Sequence, residues 1–352
     1  MPTPKLLYDL LTAPGPSGYE TAPAAVWRDA AEAFAADVAT DTVGSTVARV
    51  PGTAGGPTLL VTGHVDEIGL IVTHIDEQGF LWFKGVGGWD PVILVGQRVE
   101  IAAKEGTVPG VVGKKPIHLL REEERKKVPE IRDLHIDIGA KDEEEARGLV
   151  RQGDVAVIAG APVELPNGRV ASRSMDNRLG AYIALEAARK VHEAGGAPGD
   201  VVAAANTQEE ITFAGARTTA FAIEPQLAIV VDVTHATDAP GVEVKELGKH
   251  ELGSGAVIDR GSSLHPRVSG GLIEAAEAEG IDHTIEVNAG RTGTDADAIH
   301  LTNAGIPTGV VSIPLRYMHS PVEVVQLSDV QACIDLIAAF AMGLTADSSF
   351  AR

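Results

Sequence analysis

Four apolar runs constrain this chain more than any other feature: TLLVTG (58–63), VVAAAN (201–206), LAIVV (227–231) and GVVSIP (309–314). Each reads as a strand buried on both faces, the pattern of a parallel sheet covered by helices. Each gives way within a few residues to side chains that bind hard metals: His64, then Glu209 and Glu210, then Asp232, then His319. In open α/β sheets the ligand site lies outside the carboxyl ends of the strands, so residues far apart in the chain meet along one edge. A fifth residue of this kind, Asp176, opens a helical stretch. Two imidazoles and several carboxylates gathered there suit a pair of divalent transition metals.

The rest of the chain divides by texture. Residues 4–12 read as a short helix ended by PGPSG (14–18), 21–36 as an Ala-rich helix, and 37–50 as strands. From about residue 68 to 163 come short alternating segments with many glycines, such as GLIVTHI, GFLWFKGV and DVAVIAG. These predict a small β-barrel rather than a βαβ unit. Within it, REEERKKVPEIRDLH (121–135) predicts a solvated or mobile loop and KDEEEARGL (141–149) a short helix. After Leu165-Pro166-Asn167-Gly168, strands (199–208, 227–233, 283–289, 307–314) alternate with helices (177–194, 215–223, 266–280, 295–305, 328–344). That rhythm predicts an α/β fold: a mostly parallel sheet flanked by helices. The expected organisation is a catalytic domain made of residues 1–67 and 164–352, interrupted by the barrel at 68–163.

At 352 residues, 44% of them hydrophobic and only 4% aromatic, the chain affords two domains with aliphatic cores. Its formal charge of −20 argues against nucleic acid and anionic membrane as partners. No run approaches the roughly 18–20 apolar residues of a membrane span, and the first residues lack the basic flank and apolar core of a signal peptide. A cytoplasmic location is expected. The single cysteine, Cys333, lies in an apolar helical run and reads as a small buried hydrophobe.

Each candidate has an ordinary reading beside the chemical one. In an extended segment His64 and Asp66 point the same way, which fits either a His–Asp pair at a strand end or a metal ligand whose other ring nitrogen is held by a carboxylate. Asp176 suits a helix N-cap or a carboxylate shared by two cations. Glu209 and Glu210 are adjacent carboxylates after an apolar strand, costly to bring together unless solvent or cations are present. One of them can bind metal while the other moves the proton of an activated water. Asp232 either forms a turn or belongs to the site, and His319 alone decides nothing. The remaining histidines read as surface or hydrogen-bonded core residues.

Taken together, these segments resemble those of the dinuclear metallo-aminopeptidases that assemble as tetrahedral particles, a group of glutamyl, lysyl and deblocking aminopeptidases, some labelled endoglucanases. The resemblance runs nearly end to end: APGPSGYE (13–20), GHVDEIG (63–69), GKKPIH (113–118), IDIGA (136–140), SMDNRLG (174–180), TQEEITFAGA (207–216), DVTHATDAPG (232–241), RTGTDADAIH (291–300) and IPLRYMHSPVE (313–323). It implies a phosphorylase/peptidase-like catalytic domain with a β-barrel or PDZ-like insertion that governs assembly, from dimers to dodecamers. It implies two divalent metals, zinc or cobalt. His64 and Asp232 would be terminal ligands, one on each metal side, Asp176 the bridge, with Glu210 and His319 completing the shells. Glu209 would be the general base, and Asp66 would orient His64.

The reaction this implies is hydrolysis of the N-terminal residue from short peptides by a two-metal-bound hydroxide with Glu209 as base. An N-acyl amino acid deacylase or carboxypeptidase on the same scaffold is the alternative. A metal-free glycosidase using Glu209 leaves His64 and His319 without a role, and a non-catalytic scaffold leaves the whole ligand set unexplained.

Overall fold

The computed structural model describes residues 2–351. A hairpin, β1 (Asp37–Thr40) and β2 (Thr46–Val50), precedes β3 (Leu59–His64). Six strands follow: β4 (Gly69–Ile75), β5 (Leu81–Val86), β6 (Arg98–Ala103), β7 (Gly106–Gly113), β8 (His135–Asp137) and β9 (Val155–Ile158). The chain continues through β10 (Val163–Leu165), β11 (Arg169–Ser172), β12 (Val201–Asn206), β13 (Leu227–His235), β14 (Ala256–Gly261), β15 (His283–Asn288), β16 (Thr308–Leu315) and β17 (Glu323–Gln326).

The main sheet has the order β1-β2-β12-β3-β13-β16-β14-β15. Its middle, β12-β3-β13-β16, is parallel throughout. The pairings of β1 with β2, β2 with β12 and β14 with β16 are antiparallel and that of β14 with β15 is parallel, so the sheet is mostly parallel, as expected, with antiparallel pairing on either side of its middle. The sequence reading had no β14: its segment, AVIDRG, buries four residues and then turns polar, too short a signal beside the long apolar runs.

The fully apolar runs serve two cores. Leu59 and Val61 of β3 pack with Leu179 and Ile183 of the helix Met175–Glu193 and with Leu336 of the helix Leu327–Gly343. Leu60, between them in sequence, faces the other side with Val202, Ala216, Ala220 and Ile299. Alternate residues pointing into opposite cores are the reason these strands show no polar face. The helix lies so close to β3 that a Cβ on Gly63 would sit 2.2 Å from the Gly180 carbonyl carbon.

β4-β5-β8-β7-β6-β9 close into a barrel with its own core, including Leu70, Leu81, Phe83, Ile101 and Ile136. The charged stretch expected as loop is mostly exposed but carries one helical turn, Glu122–Arg125, and a 3-10 turn, Ile131–Asp133. β10-β11-β17 form a small antiparallel sheet that ties Glu323 to the segment entering the helix Met175–Glu193. Two helices are shorter than expected. The second ends at Ala31. The one sought over 295–305 is a single turn, Ala296–Ile299, and Asn303 turns the chain with φ 55. Among the described residues no helix is long and apolar enough to cross a membrane.

Candidate metal centre

His64 is the last residue of β3 and is 1% exposed. The Val65 amide donates to the Asn206 carbonyl at 2.7 Å, carrying the ladder one residue past the strand. Asp66 then turns inward, fully buried, with Oδ1 3.3 Å from His64 Nδ1. It also accepts the amides of Glu209 (3.1 Å) and Glu210 (3.2 Å), which open the turn Glu209–Thr212. One carboxylate thus aims an imidazole and fixes both glutamates.

Asp176 lies at the start of the helix Met175–Glu193 but does not cap it: its backbone is non-helical, and Ser174 holds the cap position. Its two oxygens face two different imidazoles, Oδ1 at 3.2 Å from His64 Nε2 and Oδ2 at 3.3 Å from His319 Nε2. Glu210 Oε1 is 3.4 Å from His319 Nε2, and Glu209 Oε2 is 3.7 Å from His64 Nε2. Asp232, buried in β13, completes the cluster. Among the described residues two sets offer donor atoms within 4.8 Å of one another: His64, Asp176 and Glu210, and His64, Glu209 and Asp232. The structure therefore brings together all seven side chains singled out in the sequence: His64, Asp66, Asp176, Glu209, Glu210, Asp232 and His319. Glu209 belongs to one of these sets, although at 3.7 Å it stands farther from His64 Nε2 than Asp176 does at 3.2 Å.

Several supporting residues escaped the sequence reading. Glu323 accepts the amides of Asp176 (3.2 Å) and His319 (2.9 Å), holding two members of the cluster with one buried carboxyl. Glu67, next to Asp66, pairs with Arg173 and, at 3.0 Å, with Arg178, all three buried. Arg178 also donates to the Ala13 carbonyl at 2.9 Å, anchoring the first helix's exit behind the site. Asp295, 1% exposed, accepts from Asn206 at 2.7 Å. Glu67, Arg178, Asp295 and Glu323 lie inside the quoted segments and Arg173 just before one of them, but nothing in those segments tells which of their charges turn inward. Ser174, Gln208 and His319 each have φ near +58, within the left-handed region that non-glycine residues rarely occupy. They flank or belong to the cluster, and strain of this kind collects at functional sites.

The electrostatics fit a divalent cation. Burial pushes Glu209 up to about 10; His64 opposes the rise, and Asp232, Asp295 and Glu210 add to it. Asp232 and Glu210 are raised in the same way, by burial first and by neighbouring carboxylates. His319, bonded to Asp176 and Glu210, is raised to about 11 against the effect of burial. Carboxyls that resist ionisation, beside imidazoles that hold their protons, mark a pocket short of positive charge. The spacing fits too: donors about 2.0–2.1 Å from a tetrahedral ion lie roughly 3.3–3.4 Å apart, close to the separations among His64, Asp176, Glu210 and His319.

Sheet, barrel and edge cluster, taken with the proteins they resemble, define the class: this is a peptide hydrolase. Residues 44–336 match the model of the M42 glutamyl aminopeptidase family, and the chain belongs to that family. It is 35% identical over 344 residues to the lysyl aminopeptidase of Pyrococcus furiosus, covering 94% of each chain. The TET aminopeptidase of a marine sediment Thaumarchaeota archaeon is similar with a TM-score of 0.92 and 35% identity, over 97% of this chain and 96% of that one. The TET1 peptidase of Pyrococcus horikoshii, which can assemble into a tetrahedron or a large octahedral shell, is similar with a TM-score of 0.85 and 33% identity, over 97% and 99%.

Proposed function

We propose that this protein is a two-metal aminopeptidase that removes N-terminal residues from short peptides. The observation that carries the reading is the placement of Asp176, one oxygen toward His64 and the other toward His319. A carboxylate so placed would serve two cations at once. His64 and Asp232, whose donor atoms fall in one set, would hold one ion together rather than one each, and Glu210 and His319 would hold the other. Two such ions, zinc or cobalt, would supply Lewis acidity and a nucleophile at neutral pH.

The chain's own residues supply the rest. Asp66, with Oδ1 3.3 Å from His64 Nδ1, holds that side of the ring and leaves Nε2 free to ligate. Glu209, close to His64 and Asp232, takes a proton from the attacking water and returns one to the departing amine. The deacylase or carboxypeptidase alternative is not favoured, since the relatives described above are aminopeptidases or peptidases. We further propose that residues 1–67 and 164–352 form the catalytic body and that the insertion at 68–163 governs assembly. The product would be a cytoplasmic homo-oligomer, between a dimer and a tetrahedral dodecamer.

Glu209→Gln tests the role of the base. The variant should retain two metal equivalents and lose about 10²–10⁴-fold in turnover of aminoacyl p-nitroanilides. Undiminished turnover removes Glu209 from the mechanism. Activity confined to N-acetylated amino acids removes the aminopeptidase reading.

A further inference from the structure

His319 takes its orientation from outside the catalytic sheet. Its Nδ1 lies 2.9 Å from the carbonyl oxygen of Gly88, in the loop that leaves barrel strand β5. A carbonyl only accepts, so Nδ1 carries the hydrogen and Nε2 is left facing Asp176 and Glu210. The same loop presses on Glu210: a Cβ on Gly87 would stand 3.3 Å from Glu210 Oε2 and 2.6 Å from Ile68 Cγ2. Gly87 has φ +76, which a side chain would strain in any case. Next along the loop, the Trp89 indole N–H donates to the Gly69 carbonyl at 2.8 Å, pinning the loop to the barrel's first strand. On the opposite side of the cluster, His64 has its Nδ1 neighbour, Asp66, in its own chain segment and makes no such contact with the barrel loop.

We propose that the barrel loop Gly87-Gly88-Trp89 is a positioning element for one metal position only: the Gly88 carbonyl sets the tautomer and aim of His319, so the site of His319 and Glu210 depends on the barrel while that of His64 and Asp232 does not. This rests on the two-metal reading above and makes the paired sites unequal. Loss of a hydrogen-bond partner behind a ligating histidine typically lowers metal affinity about 10–100-fold.

The test is calorimetric titration of Zn²⁺, and separately Co²⁺, into the chelator-treated full chain. Gly87→Ala should displace the loop, and Trp89→Phe should loosen it while keeping the ring. Thermal melting identifies which variants remain folded. In the folded variants one binding step should weaken by about 10–100-fold and the other stay within about threefold. In a His319→Ala background, the remaining step should be the same with and without the loop substitution. The proposal falls if no folded loop variant weakens either step, if both steps weaken alike, or if the loop still weakens the remaining step when His319 is gone. A wild-type chain that binds fewer than two equivalents overturns the two-metal reading instead.

Discussion

Asp66 and Glu67 are neighbours with opposite tasks, and the difference lies in what surrounds each. Asp66 is held below the usual carboxylate range: burial would raise it, but His64 and the hydrogen bond from the Glu209 amide outweigh that. Glu67 is wedged between Arg173 and Arg178. Burial lowers Arg178 to about 10, still charged at neutral pH. Removing one partner of a buried pair leaves the other charge uncompensated, at a cost of about 3–5 kcal/mol. Arg178→Met should therefore destabilise the protein by that amount in chemical denaturation. Glu67→Gln with Arg178→Met should cost less than the sum of the two single changes; strict additivity would show that the pair is not coupled. The cluster itself was legible because His, Asp and Glu rarely close long apolar strands without a use. Glu67, Arg173 and Arg178 were not, because a charged residue in a loop or at a helix start looks the same in sequence whether it faces water or another charge.

Among the elements, the strands that the sequence identified best are those buried on both faces. β3, β12, β13 and β16 are continuous apolar runs, and they form the parallel middle of the sheet. The edges obey weaker signals. β14 and the small sheet β10-β11-β17 are short and partly polar, and their pairing is set by partners distant in the chain. The close seating of the helix Met175–Glu193 on β3 was equally hidden. Asn177 donates to the Val231 carbonyl at 2.8 Å and accepts the Gly180 amide at 2.8 Å, locking the helix start over β13. Gly63 faces Gly180 across this contact, backbone to backbone. Gly63→Ala forces strand and helix apart directly behind His64, and overpacking of this kind costs about 1–3 kcal/mol. The expected outcome is a lower melting temperature together with weaker metal binding. An unchanged melting temperature would mean that the helix is free to shift.

At the scale of the whole molecule, one buried acid far from the cluster joins the last helix to the sheet. Asp329 is fully buried and accepts the amides of Gly253 (2.7 Å) and Gly255 (3.0 Å) just before β14. Burial raises it to about 6 in spite of those bonds. The folded state therefore binds a proton that the unfolded chain has already released between about pH 4 and 6. Its contribution to stability is complete below about pH 4 and is lost as the pH rises through 6, by at most about 3 kcal/mol. Asp329→Asn should flatten the decline of stability across that window, and an identical slope would refute the assignment. The order of the sheet has a last consequence. His64 comes early and His319 close to the end of the polypeptide, and the cluster needs both. A ribosome must have synthesised almost the entire polypeptide before the two can meet, so a nascent chain carries only part of the cluster until its last residues emerge.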